Sequence, residues 1–292
     1  MSHTAYSSTC VTMPLVLFGV FLAAFSALCF STLGLWGKFA QQLGVSSSSL
    51  LVWRFGLVAL VLFVVGYGGK YTLLERLKMI AFGVAYFVFT ALYFAALERI
   101  SAGTAGLLVY LAPVSVVFIQ AFLGKSPKQR QLFATALAVA GLLVIVGMPS
   151  PRDANLLGVL FGALAGIGYG GYLVASETLR HIPPLTYTAH GALGSALGFA
   201  FWSAVSGVAR LPSSLPEWGL VAAMAIISTL LALPMLYAAI ARIGAAKASL
   251  ISTLEPVFII LLAWWFLAEN PRLEALLGAV LVLGGATLSS TE

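Results

Sequence analysis

Long apolar runs alternate with short polar breaks along almost the whole chain. Ten runs are close to the roughly 20 residues that a helix needs to cross a bilayer core. They lie near 15–36, 50–67, 79–97, 102–123, 132–147, 156–176, 185–208, 220–240, 245–266 and 273–288. Each is continuous rather than alternating, which predicts helices and not the strands of about ten residues that build membrane barrels. The expected fold is an all-α polytopic membrane protein with ten transmembrane helices.

Within these runs the chain repeats itself. Residues 99–114 read Arg-Ile-Ser-Ala-Gly-Thr-Ala-Gly-Leu-Leu-Val-Tyr-Leu-Ala-Pro-Val, and 242–257 read Arg-Ile-Gly-Ala-Ala-Lys-Ala-Ser-Leu-Ile-Ser-Thr-Leu-Glu-Pro-Val. Arg99 matches Arg242, Leu111 matches Leu254 and Pro113 matches Pro256. About five runs separate the copies, an odd number, so the second copy enters the membrane from the opposite side. The expected arrangement is two inverted five-helix repeats, 1–150 and 151–292, as in secondary transporters. Turn residues at 149–155, Pro-Ser-Pro-Arg-Asp-Ala-Asn, mark the junction.

Charge changes this picture little. Only 8% of the 292 residues are charged, against roughly 25% in soluble domains, so this chain cannot cover a water-soluble surface. The net charge of +6 is scattered over short connections without a basic stripe, which argues against a nucleic-acid partner. These cations read as topology signals. With a cytoplasmic N-terminus, Lys70, Arg76, Lys78, Lys125, Lys128, Arg130, Arg180, Arg242 and Lys247 lie inside, and Lys38, Arg99, Arg152, Arg210 and Arg272 lie outside. This bias predicts both termini in the cytoplasm and a multi-pass protein of the cell's inner (plasma) membrane. Cys10 and Cys29 have neither disulfide-framework nor metal spacing. The first twelve residues hold no Lys or Arg, and the apolar run after them exceeds a signal-peptide core, so the first span is expected to be retained.

The two copies end in Leu-Gly-Lys-Ser-Pro at 123–127 and Leu-Ala-Glu-Asn-Pro at 267–271, each followed by another apolar helix. Leu35-Trp36-Gly37, Arg54-Phe55 and Leu254-Glu255-Pro256 stand in the first, second and ninth spans. Together these motifs resemble the EamA unit of the drug/metabolite transporter superfamily over nearly the whole chain, and within it the aromatic amino-acid exporters. The resemblance implies a central cavity among spans one, three, four, six, eight and nine, with a small-molecule substrate and no cofactor. The halves have diverged: Glu-Pro becomes Ala112-Pro113 in the first, and Trp-Gly becomes Tyr169-Gly170 in the second.

Glu255 is the sharpest candidate, because an ionisable group inside a membrane costs several kcal/mol unless it is paired or hydrated. It reads as a partner for a substrate ammonium, as a proton carrier, or as a packing carboxylate bonded to a hydroxyl such as Thr253. Pro113 and Pro256 remove backbone donors at matched positions and predict paired kinks at the substrate level. Trp36, Tyr86, Phe89, Tyr93, Tyr110, Tyr169, Tyr172 and Tyr237 lie on spans that the resemblance places around the cavity, where they form a semi-polar wall suited to flat solutes. Lys38 could attract a carboxylate, and Arg54 could snorkel to the outer interface. Glu177 is expected to reach water or Arg180, and His190 to be a hydrogen-bonded packing residue. Gly158, Gly162, Gly166 and Gly170 form a ridge for close helix packing or sliding.

These residues predict a secondary transporter that exports small amphipathic metabolites, in particular aromatic or other hydrophobic amino acids, by alternating access. The competing readings are a carrier of drugs or nucleotide sugars and an intramembrane lipid-acting enzyme. No Walker-type loop, HExxH motif or Gly-x-Ser-x-Gly elbow is present. No catalytic residues or metal ligands are therefore expected.

Overall fold

A computed structural model describes residues 6–45, 47–147, 151–208, 210–267 and 270–290. Among the described residues every regular element is helical. In chain order the α-helices are α1 (Tyr6–Ser31), α2 (Leu33–Gln42), α3 (Ser47–Val64), α4 (Leu73–Leu97), α5 (Ala102–Val109), α6 (Ala112–Phe122), α7 (Gln129–Val146), α8 (Leu156–Ser176), α9 (Pro184–Val205), α10 (Leu215–Ala225), α11 (Ala232–Ser252), α12 (Glu255–Leu267) and α13 (Leu273–Ser290). Of the expected junction, Pro149 and Ser150 lie outside the described residues, and Pro151–Ala154 form one 3-10 turn. The side chain of Cys10 and residues 268–269 of the second Leu-Ala-Glu-Asn-Pro motif also lie outside them.

Local signals set many of the ends. Thr72 and Glu75 form a reciprocal capping box at the start of α4, the Thr72 N–H donating to Glu75 Oε2 at 3.0 Å. Asn155 caps α8 by accepting from the Gly158 N–H at 2.9 Å.

Among the described residues, seven stretches are long and apolar enough to cross a membrane: Pro14–Ala40, Leu73–Leu97, Ala102–Phe122, Gln129–Val146, Leu156–Leu179, Leu215–Ser252 and Leu273–Ser290. Ser49–Val64 and Glu255–Phe266 are apolar but shorter. Ten uniform spans were expected; the second is short, the seventh (α9) is not among the apolar stretches, and four others are broken along their length. The first is interrupted at Thr32, between α1 and α2. The fourth is split into α5 and α6, and the ninth is split before α12. The eighth contains a π-helical turn at Ile226–Leu231.

Proline accounts for two of these breaks. Pro113 and Pro256 sit in the first turn of α6 and α12, where a missing N–H leaves no intrahelical bond unmade. Each matched proline therefore starts a new helix instead of only kinking an old one. Gly244 adds a further reversal: its φ of 79° and ψ of 163° interrupt α11, so the 38-residue stretch Leu215–Ser252 is two helices meeting at a residue that needs no Cβ.

Glycine contacts bring the helices close. α7 packs along α13, α1 along α11, α3 and α4 against α9, and α8 against α4, α5 and α6. A Cβ added at Gly141 would stand 2.6 Å from the Gly278 carbonyl oxygen, and one at Gly170 would stand 2.7 Å from that of Ala112. The predicted glycine ridge of α8 is thus a packing seam against α5 and α6. Large apolar side chains cover the outside, among them Phe122, Leu156 and Leu215, each more than four-fifths exposed. Such a girdle is suited to lipid.

Candidate functional site

Phe82, Tyr86, Phe89 and Tyr93 recur at spacings of four, three and four along α4, which places them on one helical face. α8 meets that face with Tyr169 and Tyr172. The Phe89 ring lies 4.9 Å from Tyr86, 5.2 Å from Tyr169 and 5.6 Å from Tyr172 between centroids. All are within the range of favourable aromatic pairing. Close approach of the two helices depends on glycine at this level too, since a Cβ at Gly168 would stand 3.3 Å from Phe89 Cβ.

The aromatic assembly has two parts that differ in access. Tyr172, Tyr187 and Tyr237 are buried at 5%, 2% and 6% exposure. Tyr187 stacks on Tyr237 with centroids 4.0 Å apart, the Tyr172 and Tyr237 hydroxyls share a hydrogen bond, and Tyr187 Oη lies 3.1 Å from Ser176 Oγ. Phe82 closes the group with its ring 5.8 Å from both Tyr172 and Tyr187. This plug lies at the end of the bundle where α8 stops and α9 begins. Tyr86, Phe89, Tyr93, Tyr110 and Tyr169, by contrast, remain partly accessible.

Glu255 belongs to the accessible part. Its carboxyl lies within electrostatic reach of the Tyr86, Tyr93, Tyr110 and Tyr169 hydroxyls. As the first residue of α12 it stands where the helix dipole favours negative charge. Among the described residues it makes no hydrogen bond or ion pair, and its side chain is partly accessible. The Thr253 hydroxyl, its candidate packing partner, instead donates to the Leu250 carbonyl at 2.5 Å. An acceptor with unused lone pairs, surrounded by aromatic rings, can receive a protonated amine or a proton.

The two prolines stand beside this site, Pro256 next to Glu255 and Pro113 three residues after Tyr110. Two other candidates lie apart from it. Trp36 packs with Leu50, Leu220, Val221 and Met224, donates its ring N–H to Thr32 Oγ1 at 3.0 Å, and has Phe39 as its ring neighbour. Lys38 is exposed on α2.

Three further expectations are corrected or refined. Arg54 does not snorkel: it is 3% exposed, donates from Nε to Thr229 Oγ1 and from Nη2 to the Ser228 carbonyl, each at 2.6 Å, and lies 4.8 Å from the Phe55 ring centroid. The π-helical turn supplies both acceptors, so protein groups hydrogen-bond a guanidinium held inside the bundle. Glu177 turns away from Arg180. Its Oε1 accepts from the Ala245 N–H at 2.7 Å and Gln120 Nε2 at 3.1 Å, and its Oε2 pairs with Lys125 Nζ at 2.8 Å. His190 is a packing residue, with Nδ1 3.0 Å from the Thr186 carbonyl and its ring 5.0 Å from Phe63.

Sequence reasoning missed Phe82 and Tyr187. Phe82 had a signal, since it stands one turn before Tyr86 on the same face. Tyr187 had none, because only packing between α9 and α11 brings it to Tyr237.

Comparisons with known proteins agree with this architecture. A crystal structure superposes on the chain with a TM-score of 0.76 at 21% identity, covering 94% of this chain and 96% of the other, which shows a shared fold. Among curated proteins, the uncharacterized transporter YcbK of Bacillus subtilis (strain 168) is 26% identical over 283 residues, 91% of this chain and 88% of the relative. An uncharacterized transporter of Archaeoglobus fulgidus is 24% identical over 217 residues, 73% of this chain and 76% of the relative. The model of the EamA-like transporter family matches twice, at residues 17–147 and 156–291. With helices of bilayer length, an apolar exterior and a family match over nearly all of both halves, the chain belongs to the EamA-like transporter family of the drug/metabolite transporter superfamily.

Proposed function

We propose that this membrane transporter exports small amphipathic metabolites, in particular aromatic or other hydrophobic amino acids, by alternating access. The observation that carries this reading is the unbonded, partly accessible Glu255 beside an open aromatic wall and a closed tyrosine plug. A flat apolar body gains about 25 cal/mol per Å² removed from water against such a wall. Its ammonium group has Glu255 as partner. The second charge of aspartate or lysine has no equally evident partner there and would be costly to bury.

In this reading the two halves, 1–150 and 151–292, are five-helix units inserted in opposite directions, with ten membrane passes and both termini cytoplasmic. Helix pairing supports the symmetry. The pairs α4 with α8 and α1 with α11 correspond when the halves are exchanged, as do α6 with α8 and α1 with α12. α8 also supports the inversion. Asp153 just before it accepts from the Ser101 N–H at 2.8 Å, and Glu177 at its far end accepts from the Ala245 N–H. Ser101 and Ala245 lie at equivalent starts of the two repeated segments, so those starts are held at opposite ends of one helix.

Export follows with the plug as the cytoplasmic closure and the Glu255 enclosure as the site loaded when that closure opens. Uptake of labelled amino acids into reconstituted vesicles, with and without a pH gradient, tests the reading. Phenylalanine, tyrosine and tryptophan should be transported in preference to aspartate and lysine; equal rates for all five would overturn the substrate assignment.

A further inference from the structure

We propose that Arg54 reads the carboxylate of the substrate through the Tyr86 hydroxyl, so that the site selects zwitterionic amino acids over amines carrying the same ring. This rests on the amino-acid reading above and assigns a partner to the one substrate charge which that reading leaves open. Lys38, the cation expected from the sequence to attract a carboxylate, is exposed on α2. Arg54 lies inside the bundle instead, 3% exposed, with its guanidinium 4.8 Å from the Phe55 ring centroid. The Phe55 ring stands 5.5 Å from Tyr86, edge to face, and the guanidinium lies within hydrogen-bonding reach of the Tyr86 hydroxyl. Tyr86 in turn borders Phe89 at 4.9 Å. A buried cation thus backs the accessible wall.

A charge taken out of water needs an opposite charge as well as hydrogen bonds. Among the described residues the partners of Arg54 are all neutral: the Thr229 hydroxyl, the Ser228 carbonyl, the Phe55 ring and the Tyr86 hydroxyl. Glu255 lies within electrostatic reach of that same tyrosine hydroxyl, yet the two charged groups do not pair with each other. A cation and a carboxylate that share one tyrosine neighbour match an α-amino acid, whose opposite charges sit on one carbon. A phenol can accept from a guanidinium while donating its own proton to a carboxylate. Tyr86 therefore makes the contact, and Arg54 supplies the charge behind it as a positioning residue. The π-helical turn fixes the guanidinium: Ser228 and Thr229 are fully buried, and the Ser228 hydroxyl lies 3.1 Å from Thr32 Oγ1. Turns of this kind inside regular helices are frequent at functional sites.

The test compares half-saturating concentrations for labelled phenylalanine and labelled phenethylamine, which lacks the carboxylate, in vesicles holding the full chain. The wild type should favour phenylalanine about tenfold, the effect of one hydrogen bond to a charged group. Arg54→Gln and Tyr86→Phe should each weaken phenylalanine by about that factor and leave phenethylamine unchanged. Arg54→Lys, which keeps the charge, should recover part of the loss. If Arg54→Gln does not assemble, Tyr86→Phe, which keeps the ring, carries the same expectation. Equal losses for both solutes in these variants would make Arg54 a packing residue, and wild-type discrimination in Tyr86→Phe would remove the route through that hydroxyl; either result overturns the inference. Wild-type protein that prefers phenylalanine to aspartate and lysine but takes phenethylamine equally well would also overturn it, while leaving the aromatic reading in place. Absence of any preference for phenylalanine over aspartate and lysine would overturn that reading itself, and the inference with it.

Discussion

The break between α5 and α6 and the break before α12 lie 143 residues apart and have nearly the same backbone. Tyr110 has φ −74° and ψ 5°, and its counterpart Thr253 has φ −66° and ψ −6°. Each is followed three residues later by a proline in the first turn of a new helix. Only the residue before that proline differs in charge. Ala112 is 2% exposed and its carbonyl lies against the Gly170 position of α8, so it sits in a packed helix seam. Glu255 is partly accessible and faces the aromatic wall. The repeated segments thus keep a proline-set backbone while one side chain makes the two breaks differ in charge.

The strongest way to break this comparison is to make the two positions alike. Ala112→Glu should be destabilising by about 3 kcal/mol, because its carboxylate enters a packed helix seam with no partner. Accumulation in membranes and thermal stability in detergent would measure it. A well-folded A112E protein would mean that the first break has space not implied by its packing with α8.

The reverse change should affect transport rather than folding. Glu255→Gln keeps the size of the side chain but removes its charge, and a hydrogen bond to a charged group contributes about 1.5–3 kcal/mol. We expect at least about a tenfold fall in transport, loss of its pH dependence, and little change in thermal stability. A carboxylate that only packed would tolerate the amide. Transport matching the wild type at every pH would therefore assign Glu255 to packing.

The smallest expected effect separates the wall from its periphery. Tyr86→Ala or Tyr93→Ala should reduce the preference for aromatic over aliphatic amino acids about fivefold, in line with roughly 1 kcal/mol per aromatic contact. Phe63→Ala, which removes a ring packed on His190 away from Glu255, should leave that preference unchanged. Equal losses in all three would mean that general packing, rather than the wall, sets selectivity.

Much of the fold is legible in the sequence. Continuous apolar runs and scarce charge specify membrane helices, because only internally bonded backbone is tolerated in lipid. Pro113 and Pro256 marked both breaks, since the missing N–H acts locally. Tyr86, Phe89, Tyr169 and Glu255 could be named as candidates because aromatic or ionisable groups on apolar helices stand out. The length of the helices was less legible: α9 falls below the hydropathy of a simple span because it carries Thr186, Thr188, His190, Ser195 and Ser203, all buried against neighbouring helices.

The sequence by itself determined which segments are apolar and helical, which residues carry charge, and that one segment occurs twice. These properties depend on residues a turn or two apart or on a direct match along the chain. Which aromatic residues seal the plug and which stay accessible, and whether Arg54 points to protein or to water, were decided only by tertiary structure. Tyr172 is 65 residues from Tyr237, and Arg54 is 175 residues from Thr229. No local rule pairs groups so far apart, because their meeting depends on how glycine seams and proline breaks set the approach of whole helices.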